Sequence, residues 1–168
     1  LAENYFRELS NIINQNGADV IFYNVKMFGA EEEKEWSKDI FSTELCSAVQ
    51  FSQVIENFFL SYKSVSMWCK AFKKVCIDVN FDYSKYKGLS MGEDTLQSAE
   101  IYSRAKSFVY LNKPLYFYRG GSGMTSKFKD DYYFQFKTVC KVIENTKKIT
   151  AIEHFEEMMA VKVFGIVG

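Results

Sequence analysis

The sequence predicts an α/β or α+β domain: a mixed sheet flanked by helices, with a helical C-terminal extension. Three observations carry this. Helical periodicity and β-branched, aromatic runs alternate along most of the chain, two short aromatic strand patterns follow one of the helices, and residues 129–168 carry only helical patterning. At 168 residues the chain suffices for one ordinary domain with its own core, or a small domain with a helical appendage. Lys plus Arg and Asp plus Glu balance at 21 each, so no whole-molecule field draws the chain to nucleic acid or acidic lipid. Aromatics are 17% of residues and Pro114 is the single proline, which marks an ordered protein.

The elements follow in order. Residues 3–16 place Tyr5, Phe6, Leu9, Ile12 and Ile13 at helical spacing, and Asn16-Gly17 supplies the stop. Residues 18–28, ADVIFYNVKMF, form a strand pattern. The acidic stretch 29–42 has no apolar period and reads as a solvated connection. Residues 43–61 resume a helical period through Leu45, Val49, Val54, Ile55, Phe58 and Phe59, with Ser42 or Thr43 as cap. Residues 64–72 read as an extended piece entering a basic turn at Lys73 and Lys74.

A polar loop over 81–88 leads to Gly92-Glu93-Asp94, which opens a helix carrying Leu96, Ala99, Ile101, Tyr102 and Ala105. Residues 107–111 and 115–118 are two short strands separated by the turn signal Asn112-Lys113-Pro114. A glycine cluster at 120–123 precedes helical patterning over 130–149 and 152–164. No apolar run approaches the roughly 20 residues that span a bilayer.

Few residues suggest chemistry on their own. Glu93 and Asp94 are adjacent carboxylates at a helix start, where the backbone dipole favours an ionised acid. Taken alone, the pair is an ordinary helix opening. Lys70, Lys73, Lys74, Lys85 and Lys87, interleaved with Tyr83 and Tyr86, read as a solvated face rather than a nucleic-acid surface. His154 lacks the second histidine of a metalloprotease helix and reads as a surface residue. Cys46, Cys69, Cys76 and Cys140 lack zinc or disulfide-framework spacing, so they are expected to be reduced in a cytosolic setting.

The order of segments is more informative. Trp68-Cys69-Lys70-Ala71-Phe72-Lys73-Lys74, then Gly92-Glu93-Asp94-Thr95, then Pro114-Leu115-Tyr116-Phe117-Tyr118-Arg119, then Gly123-Met124-Thr125 succeed one another. This series resembles the acceptor-side half of bacterial family-2 glycosyltransferases of the GT-A fold, over residues 3–128. The resemblance implies a partial GT-A-like catalytic portion over 1–128 and a separate helical segment over 129–168. It further implies that the nucleotide-sugar-binding half is missing, with the chain, which opens at Leu1, excised from something longer.

By the same resemblance, Asp94 is the catalytic base that deprotonates an acceptor hydroxyl for inverting attack on the donor's anomeric carbon, and Glu93 is its acidic neighbour. Trp68 is the aromatic beside the acceptor, the alternative being a core tryptophan. Arg119 and Thr125 belong to a segment that closes over the donor diphosphate, although Gly123 stands where the family has serine and a plain turn also fits.

The implied partners are a nucleotide sugar and a glycan or lipid-linked acceptor. The implied cofactor is Mg or Mn, held by an Asp-x-Asp motif that this sequence does not contain, so none is assigned to this chain. The chain alone is expected to be inactive, to pair as a homodimer through exposed half-domain surface, and to be cytoplasmic or at the inner face of the cell membrane. The competing reading is a non-catalytic carbohydrate-binding or protein-interaction module.

Overall fold

The computed structural model describes residues 1–28, 35–36, 40–42, 44–61, 63–90, 92–119 and 131–167. Helix α1 (Tyr5–Asn16) ends at Gly17, whose φ of 58° is the left-handed conformation that a glycine adopts without a Cβ clash. Its N–H donates to Ile13 O at 2.9 Å. Strand β1 (Val20–Phe28) follows directly.

β1 is the centre of one mixed five-stranded sheet. Along one edge it pairs in parallel with β5 (Phe108–Arg119), from Val20↔Phe108 to Phe28↔Arg119. The other edge is shared by two short antiparallel strands, β4 (Lys70–Phe72) against Val20 to Phe22 and β2 (Glu35–Trp36) against Val25 and Lys26. β3 (Cys46–Val49) pairs antiparallel with the outer edge of β5, Cys46↔Leu111 to Val49↔Phe108.

Alternation along the strands divides the core between the two faces. Ile21, Tyr23, Val109, Leu111 and Leu115 pack against Leu9 and Ile12 of α1. Val20, Phe22, Phe108 and Tyr110 face the larger cluster, built with α2 (Phe51–Leu60) and α3 (Glu93–Arg104). Phe136 and Val139 of α4 (Tyr132–Glu144), Ile149 of α5 (Lys147–Thr150) and Met158 and Met159 of α6 (Phe155–Val167) complete it. The C-terminal helices thus share the core of the sheet.

Besides β2, which lies inside the stretch 29–42 expected to be a connection, the structure departs from the sequence reading at four places. The single helix expected over 43–61 is β3 followed by α2. The period through Leu45 and Val49 does not belong to a helix: Leu45 is exposed, Val49 is buried on the sheet, and α2 starts only after Gln50, whose N–H donates to Gln53 Oε1 at 2.9 Å. Residues 64–72 are not simply extended, because Met67–Cys69 forms a 3-10 turn before β4 begins.

The two strands expected on either side of Asn112-Lys113-Pro114 are one strand, β5, with an irregularity in place of a turn. Between Tyr23↔Leu111 and Val25↔Tyr116, β1 advances two residues while β5 advances five. A bulge accommodates the proline without ending the ladder. Side chains and chain neighbours fasten it: Asn24 Nδ2 donates to Asn112 Oδ1 at 2.6 Å, Tyr110 OH to Asn24 Oδ1 at 2.7 Å, and Ala2 N to Leu115 O at 2.9 Å. Finally, the helix expected over 130–149 is broken into α4 and α5. Lys148 of α5 donates to Ala105 O at 2.5 Å and Tyr102 O at 3.3 Å, placing a cation at the C-terminal end of α3.

Candidate active site

α3 begins at the carboxyl end of the parallel pair β1 and β5. Its last turn packs at their start, where the Tyr102 ring meets Phe22 at 5.8 Å and Phe108 at 6.2 Å. The helix of 12 residues rises about 18 Å, so its N-terminus lies toward the opposite end, where open α/β sheets place their ligands. Gly92 makes that start possible. Its φ is 86°, and a Cβ there would lie 3.0 Å from Val139 Cγ2, so α4 leans directly on the head of α3.

Glu93 and Asp94 occupy the first turn of α3, both partly exposed. Asp94 Oδ2 accepts a long hydrogen bond, 3.4 Å, from the main-chain nitrogen of Met67. The acid is therefore docked on the 3-10 turn that carries Trp68. The Trp68 indole stacks on Tyr116 (centroids 5.8 Å apart, planes 16° apart) and tilts against Tyr118 (5.2 Å, 40°). It is partly exposed and belongs to neither apolar cluster. Trp68 thus forms a three-ring platform with the last residues of β5.

The turn beneath is tightly held. Ser64 O accepts from Lys70 Nζ at 2.9 Å and from the Tyr102 hydroxyl, and Val65 O from Lys70 Nζ at 3.1 Å and Ser98 Oγ at 2.5 Å. Ser66 O accepts from Lys70 Nζ at 2.6 Å and Cys69 Sγ at 2.9 Å. Lys70 is buried, not part of the solvated basic face the sequence suggested: its place opposite Phe22 in the sheet turns it inward. Burial lowers its pKa, while the charges of Cys69 and Asp94 act to raise it. Burial likewise pushes the Cys69 thiol and the Tyr102 phenol up.

Arg119 is the last residue of β5, exposed, and one position beyond Tyr118. Strand alternation sends it to the face opposite Tyr116 and Tyr118. Of the residues the sequence nominated, Asp94, Glu93 and Trp68 come together, Arg119 reaches the same end of the sheet on its other side, and Thr125 and the glycine cluster lie outside the described residues. Lys73 and Lys74 are exposed, as is His154, which lies 3.5 Å from Glu153 and 3.7 Å from Glu157. The four cysteines are free.

Sequence reasoning missed Lys70, Ser98, Tyr102, Tyr116 and Tyr118 as parts of this site. The two tyrosines had a signal, since their spacing of two puts them on one strand face. Lys70 had none. Among the described residues no three His, Cys, Asp or Glu side chains converge where an ion could sit. Among the same residues no helix is long and apolar enough to cross a membrane.

No family model matches the sequence. No curated protein matches it. In fold, the chain is similar to residues 1–349 of S. aureus TarS solved in complex with UDP-GlcNAc, with a TM-score of 0.63 and 17% identity. The match covers 96% of this chain and 44% of that one, so this chain spans less than half the length of the TarS chain. At that identity the likeness establishes the fold: a mixed α/β sheet flanked by helices, resembling a protein whose structure holds a nucleotide sugar.

Proposed function

We propose that this chain forms the acceptor side of an inverting glycosyltransferase that moves a sugar from a nucleotide-sugar donor to a glycan or lipid-linked acceptor. The observation that supports it most is the docking of Asp94, at the head of α3, on the turn that carries the half-exposed Trp68 platform. The TarS fold likeness adds a protein that holds UDP-GlcNAc.

In this reading an acceptor ring stacks its apolar face on Trp68 and presents a hydroxyl to Asp94. The carboxylate accepts the hydroxyl proton. The oxygen forms a bond to the donor's anomeric carbon while the bond from that carbon to the diphosphate oxygen breaks. The nucleoside diphosphate leaves with the bonding pair, and attack from the opposite side inverts the anomeric configuration. Glu93 borders the acceptor, and by the family resemblance alone Arg119 and Thr125 belong to a segment that closes over the diphosphate, where a cation is suited to the charge.

The test is transfer by the full-length protein as its gene encodes it, assayed against a panel of nucleotide sugars, with the anomeric configuration of the product read by NMR. An inverted product supports the reading; a retained configuration would sink it. A second reading, carbohydrate binding without catalysis, draws on the same three-ring platform. It predicts sugar binding that Trp68→Ala abolishes and Asp94→Asn leaves intact, with no turnover from any donor.

A further inference from the structure

The Lys70 ammonium is the most costly group in the core next to this site. It is fully enclosed, and even after relaxation a buried charge costs several kcal/mol. Its three N–H donors meet three consecutive carbonyls, Ser64 O at 2.9 Å, Val65 O at 3.1 Å and Ser66 O at 2.6 Å.

None of those carbonyls depends on it for a partner. Ser64 O also takes the Tyr102 hydroxyl, Val65 O the Ser98 hydroxyl at 2.5 Å, and Ser66 O the Cys69 N–H at 3.4 Å and thiol at 2.9 Å. The lysine is therefore redundant for satisfying the turn. Satisfying the turn does not by itself account for a charge this costly.

Its geometry indicates what does. Lys70 ties all three carbonyls to one ammonium, and two of them, Ser64 O and Val65 O, are also held by Tyr102 and Ser98 of α3, the helix whose first turn carries Asp94. The residue after the third carbonyl is Met67, which donates to Asp94 Oδ2, and the next is Trp68. Fixing the turn against α3 fixes the platform against the acid.

We propose that Lys70 is a positioning residue of this site, whose ammonium ties the Ser66 carbonyl to the Ser64 and Val65 carbonyls that α3 holds, and so keeps the Met67 N–H and the Trp68 indole in register with Asp94. The kinetic consequence rests on Asp94 being the base of a glycosyl transfer; the structural consequence does not.

The experiment uses the full-length protein with every tryptophan other than Trp68, Trp36 among them, replaced by phenylalanine, compared with the same protein bearing Lys70→Met. Circular dichroism and thermal unfolding report fold and stability. Trp68 emission and its quenching by acrylamide report the platform without turnover, and donor Kd, acceptor KM and kcat report the reaction. The expected result is a folded variant with Tm unchanged or raised, red-shifted Trp68 emission with stronger quenching, unchanged donor Kd, and acceptor kcat/KM lowered roughly tenfold to a hundredfold.

Unchanged Trp68 emission and quenching in the folded variant would overturn the proposal, as would a fall in Tm with Trp68 unmoved, the mark of a merely structural lysine. Lys70→Gln, which keeps two N–H donors without the charge, carries the same test if methionine is not tolerated. A shifted Trp68 signal in a protein that transfers no sugar supports the lock and sinks the glycosyl-transfer reading, so the two failures are distinguishable.

Discussion

Asp94 Oδ2 lies 3.4 Å from the main-chain nitrogen of Met67, the residue that precedes Trp68. A carboxylate at a helix start normally turns to its own helix, whose first N–H groups need acceptors. Here the acid reaches outward to a neighbouring turn. That single contact joins the two features that the sequence could only set in order, a helix-opening acid and an aromatic after a polar stretch.

Replacing Trp68 by alanine removes the stacking face and leaves the two core clusters intact. Loss of an aromatic contact worth about 0.5–1.5 kcal/mol raises acceptor KM up to about tenfold, with little change in unfolding free energy. Steady-state kinetics beside urea unfolding checks both halves. A large stability loss would return Trp68 to the core reading.

Gly92→Ala acts through the head of α3. A side chain at φ 86° is strained, and its Cβ would lie 3.0 Å from Val139 Cγ2. Together these destabilise the fold by about 1–3 kcal/mol. Adding Val139→Ala relieves the contact but not the backbone strain, so a double-mutant cycle by urea unfolding should show partial recovery. Additive losses would mean that α4 does not press on this turn.

Lys162 of α6 gives a pH signature. It is buried, donates to Phe58 O at 2.8 Å, lies 4.5 Å from the Phe58 ring centroid, and feels the Cys140 thiol of α4. Burial lowers its pKa to about 7. Below that value both folded and unfolded chains hold the proton. Between about 7 and the ordinary lysine value near 10.4 only the unfolded chain does, so stability rises with pH by up to about 1.4 kcal/mol per pH unit.

Lys162→Met removes this contribution. Burial holds the Cys140 thiol up as well, and its titration favours the opposite slope; Lys162→Met leaves that burial in place and removes only the lysine charge that acts to lower the thiol, so the variant lacks the rising slope of the wild type. Unfolding free energies at pH 7, 8 and 9 should therefore diverge between wild type and variant, the wild type gaining relative stability. Parallel curves would contradict a neutralised Lys162.

Legibility in the sequence tracked how local each cause was. α1 with its Gly17 stop, β1 and the start of α3 were readable because period, cap and positive φ sit within a few residues. β3 was not: four residues, Cys46–Val49, are a strand only because the edge of β5 is there to pair with. The Asn112-Lys113-Pro114 signal was read as a turn because the partners that make it a bulge, Asn24 and Ala2, are far away in sequence. In the site, Asp94 and Trp68 were nominated by order along the chain, whereas Lys70 was misread as solvated because its carbonyl partners exist only once the turn closes.

If Asp94 removes the acceptor proton, Asp94→Asn in the full-length protein abolishes most of the turnover. The amide keeps the shape and can still accept from Met67 N, but it cannot take a proton. The expected result is a fall in kcat of about 10²–10⁴-fold, with donor Kd unchanged and the fold intact by circular dichroism. An Asp94→Asn protein that transfers sugar at the wild-type rate would contradict it.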